Sequence, residues 1–496
     1  MLKFNVKNYG LLLPMVWIAL VALSGCATVK KDLPAFNNNF RTGAYTEAGS
    51  FAAEKAKNTI EKNTGIPRTG NLLWALQAGA AKRACGEYDL STAFFDASEN
   101  AIKDYNETGL VGDAGTTLGS IFVNDTVLKY PPEEYDGIMV NTYKGLNFWA
   151  KGDIDNARVE FMRALERQTR AKERFARQIT KEKEALAKKQ KDADERRKQR
   201  LAAAATAQER QAIENEPRLD FNKAVSNPEI DEIMRQRYSN LDEFEAYPDF
   251  INPFTTYLAG LFFSMHGDYN RASNLLKETY GMVKENGYVA DDFKRVEDIL
   301  DGKGQPCDLV WVVFENGAGP EKEEVRVDLP LFVVTSKVKY TGIAFPKLKT
   351  NAQAYPYLSM ENNGKELGKT QILADMDRVI QTEFKNKFPS MVTKAVISAL
   401  VKSYAQYEAQ RHFGDLGGIV GGVYQLATTS ADIRIWSALP KNFQVARILR
   451  PEDGKLRIVA PGGDPIDITL PETRFSVIYV KIPQTGAKPV CEILKA

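Results

Sequence analysis

Three segments of this chain share two glycines seven residues apart: Gly79 and Gly86, Gly145 and Gly152, Gly260 and Gly267. An acid follows each second glycine (Glu87, Asp153, Asp268), then Tyr88, Ile154 or Tyr269. A small residue comes three positions on (Ser91, Ala157, Ala272), and a bulky one four further (Phe95, Phe161, Leu276). Ser98, Ala164 and Thr279 close the pattern. The spacing predicts paired helices. The first glycine permits close approach of two helices, and the second ends helix A in a left-handed turn. The small residue of helix B faces the close approach, and the bulky one fills the groove toward neighbouring pairs.

This pattern resembles the tetratricopeptide repeat (TPR). The first copy departs from it at Lys82, where the other two carry Phe148 and Phe263. The second glycines lie 66 and 115 residues apart, against a repeat period of about 34. One degenerate helical pair is therefore expected between the first two copies, and an insertion between the last two. Stacked helix pairs usually offer a concave face to protein partners.

The insertion, residues 166–216, is rich in Lys, Arg, Glu and Ala and free of glycine. Leu165, Phe175, Ile179, Leu186 and Leu201 are too sparse for a heptad seam. A long solvated helix or hairpin is expected, either as a plain projection or as a basic arm for anionic lipid or wall polymer.

The N-terminus constrains location. Lys3 and Lys7 precede an apolar run from Leu11 to Leu23, which ends in Leu23-Ser24-Gly25-Cys26. This resembles the lipobox of bacterial lipoproteins. The resemblance implies cleavage before Cys26 and acylation of that cysteine, with palmitate as a typical chain. Two or three acyl chains anchor stably where one does not. Ala27, in place of an Asp, implies sorting to the outer membrane, periplasmic face. Net charge of +2 argues against a general nucleic-acid surface, and 44% apolar content is that of a globular chain.

From Cys307 the character turns to strands: Asp308 to Phe314, Glu324 to Asp328, Leu331 to Thr335, Lys337 to Phe345, Tyr355 to Met360, Phe443 to Leu449, Leu456 to Val459, Ile466 to Leu470 and Arg474 to Ile482. Asn316-Gly317-Ala318-Gly319-Pro320 reads as a turn between the first two. A β-sandwich is expected, interrupted by a helical stretch over 369–411 with a break at Pro389. A glycine-rich run to Val423 follows, as a packed helix pair or a membrane-interacting segment. Gly109 to Gly119 is similarly rich in small residues. Cys307 and Cys491 flank the β-rich part and would staple its ends if paired; two unpaired thiols are the alternative. Cys85 reads as a small core residue.

Asp432, Arg434 and Trp436 alternate as on one strand face, either as an ion pair beside an aromatic or as a ligand-contacting triad. Of the two histidines, His266 suits a helix end and His412 the end of the long helix. No metal-ligand, nucleophile-elbow, Walker or dinucleotide motif occurs, and Glu133-Glu134 and Glu323-Glu324 are unremarkable in a chain with 64 acids. No catalytic residue, metal ligand or cofactor is expected.

The lipobox, the repeats ending near Asn252-Pro253-Phe254, Glu315-Asn316-Gly317 and Asp432-Ile433-Arg434-Ile435-Trp436 together resemble a family of uncharacterised conserved bacterial lipoproteins. Members are encoded near lipoproteins resembling penicillin-binding-protein activators, which implies work near peptidoglycan synthesis.

The sequence therefore predicts an α+β multidomain protein. Residues 1–25 are a signal peptide and 26–45 a linker. TPR-like helices over 46–165, the charged insertion over 166–216 and a further repeat over 217–303 form an α-solenoid. Residues 304–496 form a β-sandwich-like domain with a helical insertion at 369–425. The expected role is a non-enzymatic scaffold for envelope proteins, held to the membrane by lipid and linked to peptidoglycan, with no nucleic-acid partner. A wall-active enzyme and an accessory of a secretion or surface-structure system are the alternatives.

Overall fold

The computed structural model describes residues 31–108, 129–216, 220–239, 247, 251–304, 307–330, 340–401 and 430–495. Cys26, His412, Leu331 to Thr335, Gly109 to Gly119 and the glycine-rich run to Val423 lie outside them. The protein is mixed α+β, with helices first and sheets last.

Helix α1 covers residues 31–41, where a linker was expected. Leu33, Phe36 and Phe40 recur at helical spacing and are buried. Then come α2 (Tyr45–Ala56), the short strands β1 (Thr59–Ile60) and β2 (Pro67–Arg68), α3 (Leu72–Ala84), α4 (Tyr88–Thr108), α5 (Glu134–Ala150) and α6 (Ile154–Ala203). After α7 (Ala207–Glu214), α8 (Phe221–Val225) and α9 (Pro228–Arg237), the layer resumes with α10 (Pro253–Met265), α11 (Tyr269–Met282) and α12 (Gly287–Leu300).

The three glycine copies adopt one local geometry. Gly86, Gly152 and Gly267 have φ of +75°, +75° and +81°. The residue after each donates its N–H back five residues, to the carbonyls of Lys82, Phe148 and Phe263, at 3.0, 2.9 and 2.9 Å. This pairing closes a helix on a left-handed glycine. The bulky residue of helix B lies over the first glycine. A Cβ on Gly79 would sit 2.5 Å from the Phe95 ring, one on Gly145 2.8 Å from Phe161, and one on Gly260 3.1 Å from Leu276. The same rings reach the next pair, Phe95 to Tyr143 and Phe161 to Phe262. Among the described residues α4 packs directly on α5, through Lys144 and Asn147, with no further pair between them.

Helix α6 is helix B of the second copy continued through the charged insertion, 50 residues in all, or about 75 Å. It turns at Thr206, whose side chain accepts from the N–H of Glu209 while Glu209 caps in return. The return segment packs back on it, with the N–H of Phe221 donating to Gln190.

The second half forms β3 (Leu309–Asn316), β4 (Glu321–Pro330), β5 (Tyr340–Lys349), β6 (Ser359–Asn362), β7 (Lys365–Lys369), β8 (Gln371–Asp375), helix α13 (376–401), β9 (Asn442–Leu449), β10 (Lys455–Val459), β11 (Ile466–Thr469), β12 (Phe475–Ile482) and β13 (Val490–Lys495). A five-stranded sheet has order β13-β12-β3-β9-β8 and a four-stranded one β11-β10-β6-β7; among the described residues β4 and β5 pair only with each other. The Asn316 to Pro320 turn thus joins strands of different sheets. Residues 371–375, expected as helix, pair with β9, and Pro389 does not break α13.

Alternation along the strands divides the five-stranded sheet between two cores. Val310, Val312, Phe314, Ile478 and Val480 meet Met360, Leu456 and Ile458 of the four-stranded sheet. Trp311, Val313, Val445, Val477 and Tyr479 meet the A helices. All thirteen residues of α10 are buried, and Phe254 stacks on Phe443 at 3.5 Å. The A-helix face is covered by this chain's own sheet.

Candidate functional site: the helix–sheet seam and a buried charge cluster

The motifs singled out in the sequence converge on the seam between helices and sheet. Asn252 caps α10, its side chain accepting from the N–H of Phe254 at 3.1 Å, with Pro253 in the first turn. Glu315 is buried; it accepts from Tyr143 and, at 2.7 Å, from Lys481. Asn316 accepts from the N–H groups of Ala354 and Tyr355 and donates to Tyr355 and Asn442. Gly317 has φ +72°, and a Cβ there would meet the Ala352 carbonyl at 3.1 Å. Arg83 bonds Asn147 at 2.8 Å and pairs with Glu492, which also accepts from Tyr88 at 2.5 Å.

The Asp432 to Trp436 segment, read as a strand from its alternation, joins no sheet. It lies across α3: Gln77 donates to the Ile435 carbonyl and Ser437, and accepts from the N–H of Ala438, and Arg434, Ile435 and Trp436 are buried in succession. Arg434 pairs with Asp432 at 2.6 Å, and Trp436 is buried on Phe95 and Tyr143. The segment is structural, without an open ligand face. His266 is the C-cap residue of α10, its ring nitrogen 2.7 Å from the Phe262 carbonyl oxygen. Burial lowers its pKa, and Arg158 adds to the effect.

Cys307 and Cys491 are not paired; with Cys85 they are free. Leu309 is level with Phe475 and Cys491 with Val480. That register separates the two cysteines by roughly 20 Å along the sheet, far beyond the ~4.4–6.8 Å of a disulfide.

A second constellation is one the sequence left unmarked. At the N-terminus of α5, four carboxyls (Glu133, Glu134, Asp136, Glu383) meet three cations (Lys322, Lys387, Arg174). Glu383, from α13, accepts the N–H groups of Glu134 at 2.8 Å and Tyr135 at 3.3 Å, the position an anion takes at a helix start. Lys387 bridges Glu383, at 2.7 Å, and Glu133. Lys322 of β4 lies 3.4 Å from Glu133, and Arg174 of α6 pairs with Glu134 at 2.5 Å. Asp136 accepts from the Tyr130 hydroxyl and the N–H of Glu133, both at 2.9 Å.

Burial pushes the Asp136 carboxyl up to about 7, with Glu133 adding to it. Burial likewise pushes Glu383 up to about 8, against the pull of Lys387 and with help from Glu133. Burial opposes ionisation of Glu133 too, but Lys387 and Lys322 hold it at about 2. With one carboxyl in excess, the cluster retains a proton near neutral pH. The adjoining clefts, lined by Tyr135, Tyr247 and Thr382 or by Pro132, Gly137 and Arg167, are water-sized. The cluster can rivet α13, β4 and α6 to α5, and it has no room for a substrate. Each half carries a local pattern, the Glu133 to Asp136 spacing of a helix cap and Glu383 with Lys387 one turn apart, but neither pattern brings the two halves together.

Among the described residues no group of three His, Cys, Asp or Glu side chains could hold a metal, and no helix is long and apolar enough to cross a membrane. No family model, curated protein or solved structure matches the chain.

Proposed function

We propose that the protein is a lipid-anchored envelope scaffold, a TPR-like solenoid fused to a β-sandwich-like domain, which binds envelope proteins without enzymatic chemistry. The observation that carries this reading is the arrangement of the glycine-closed helix pairs. Three pairs stack in one layer, their A helices sealed by the sheet and their B helices facing solvent. Val159 and Met162 of α6 and Leu90 of α4 are exposed on that outer side. Binding of envelope proteins therefore falls to the B helices. Anchoring through Cys26 confines this surface to a thin layer at the outer membrane, near peptidoglycan, and raises its effective concentration there.

A photocrosslinker at Val159 should capture the same envelope protein repeatedly in cells, and one at Asn363, in a turn of the outer sheet, should not. Equal capture at both positions overturns the assignment of the surface. Release of soluble fragments from peptidoglycan by the purified protein overturns the non-enzymatic reading. Cys26→Ser should abolish function while leaving the fold intact; a fully active unlipidated form would make the anchor incidental.

A further inference from the structure

The helix layer has two ends, and one of them carries the tether. Asp32, at the start of α1, pairs with Lys55, at the end of α2. Arg68, just before α3, pairs with Asp104 near the end of α4. Helices α4 and α5 run antiparallel: Lys144 contacts Asp96 and Glu99, and Asn147 contacts Ser91. The starts of α1, α3 and α5 therefore share an end with the finish of α2 and α4. Helix α6 runs back along α5 and passes its first turn at Arg174. It then continues 29 residues to Ala203, about 44 Å, leaving the body from that same end.

Cys26 lies five residues before Lys31, a reach of roughly 18 Å when fully extended. A 44 Å rod that leaves the body on the tethered side cannot point along the membrane normal without entering the bilayer. We propose that the distal half of α6 lies along the bilayer surface, with its basic side chains on anionic lipid head groups. The proposal rests on the anchored reading above. Residues 175–203 carry ten Lys and Arg against five Asp and Glu. Lys181, Lys188, Lys191 and Lys198, at spacings of seven, three and seven, share one exposed side with Glu184 and Glu195, the latter paired with Lys191, so that side carries a net positive charge of two from these six residues. Ile60 in β1, 63% exposed, lies on the same end. Leu90, at the start of α4, marks the opposite end.

The test uses the lipidated full-length chain in vesicles containing phosphatidylglycerol, with a photoreactive side chain at position 188, 60 or 90. Lipid adducts are expected at 188 and 60 and not at 90. Replacing Lys181, Lys188, Lys191 and Lys198 by Glu should cut adducts at 60, read in the same vesicles, by about fivefold. Adducts at 90 that match those at 188, or none at any position on a protein that floats with the vesicles, overturn the proposal. Flotation tests the anchor separately. A native chain that fails to float on neutral vesicles, where Cys26→Ser also fails, removes the anchor and this orientation with it.

Discussion

Helix α10 and the distal half of α6 belong to neighbouring repeats yet meet opposite fates. Every residue of α10 is buried, between the sheet and its own B helix. Beyond Arg174, α6 is largely exposed and held as a helix by local forces: alanine, i,i+4 ion pairs such as Lys191 with Glu195, and a capped turn. Tertiary packing makes the first, and intrinsic propensity the second. Substitutions should therefore cost much in one and little in the other.

The largest effect is expected at the stacked rings. Phe254→Ala should lower stability by about 3–5 kcal/mol, read by thermal or urea unfolding; a loss as small as that of a surface change would mean the seam is loosely packed. Next comes Asp136, whose buried carboxyl is raised from near 3.8 to about 7. The folded state holds the proton more tightly, so this contribution is full below about pH 4 and lost as pH rises to 7. Asp136→Asn should remove that slope. The stability difference between variant and parent should shift in the variant's favour by up to roughly 4 kcal/mol across the window, and a difference constant with pH refutes the assignment. Gly79→Ala follows. Its Cβ would press into the Phe95 ring, at a cost of about 1–3 kcal/mol. An unchanged melting temperature would show that the ring can move aside. Smallest is Lys188→Ala on the arm, within about 0.5 kcal/mol of the parent; a larger loss would mean that the arm packs on something in the folded chain.

What the sequence revealed followed the range of the interactions. The glycine pairs were legible because helix closure and the helix-on-helix approach are set within about twenty residues. Most strands were legible from alternation. Helix α1 was hidden by its short length, although Leu33, Phe36 and Phe40 carried the period. The Asp432 to Trp436 segment alternates in sequence but not in burial, since it lies between Gln77 of α3 and the aromatic core rather than beside a strand. The charge cluster could not be read locally: Glu133 and Glu383 are 250 positions apart, and neither is unusual until the fold joins them. The coverage of the A helices by the sheet was equally non-local: Phe254 and Phe443 meet across 189 positions.

The parallel pairing of β3 with β12 has a consequence for how the chain acquires its structure. Leu309 aligns with Phe475, so the central strand waits for a partner some 166 positions later. Until β9 and then β12 arrive, the apolar faces of α5 and α10 lack most of their cover, since Phe443, Val445, Val477 and Tyr479 come from those two strands. Contacts of such long separation slow folding and leave sticky intermediates. A chain threaded outward from its N-terminus would present an uncapped helical half for most of its passage. Its successful maturation would then depend on a holding chaperone at the exit side more than on the stability of the finished fold.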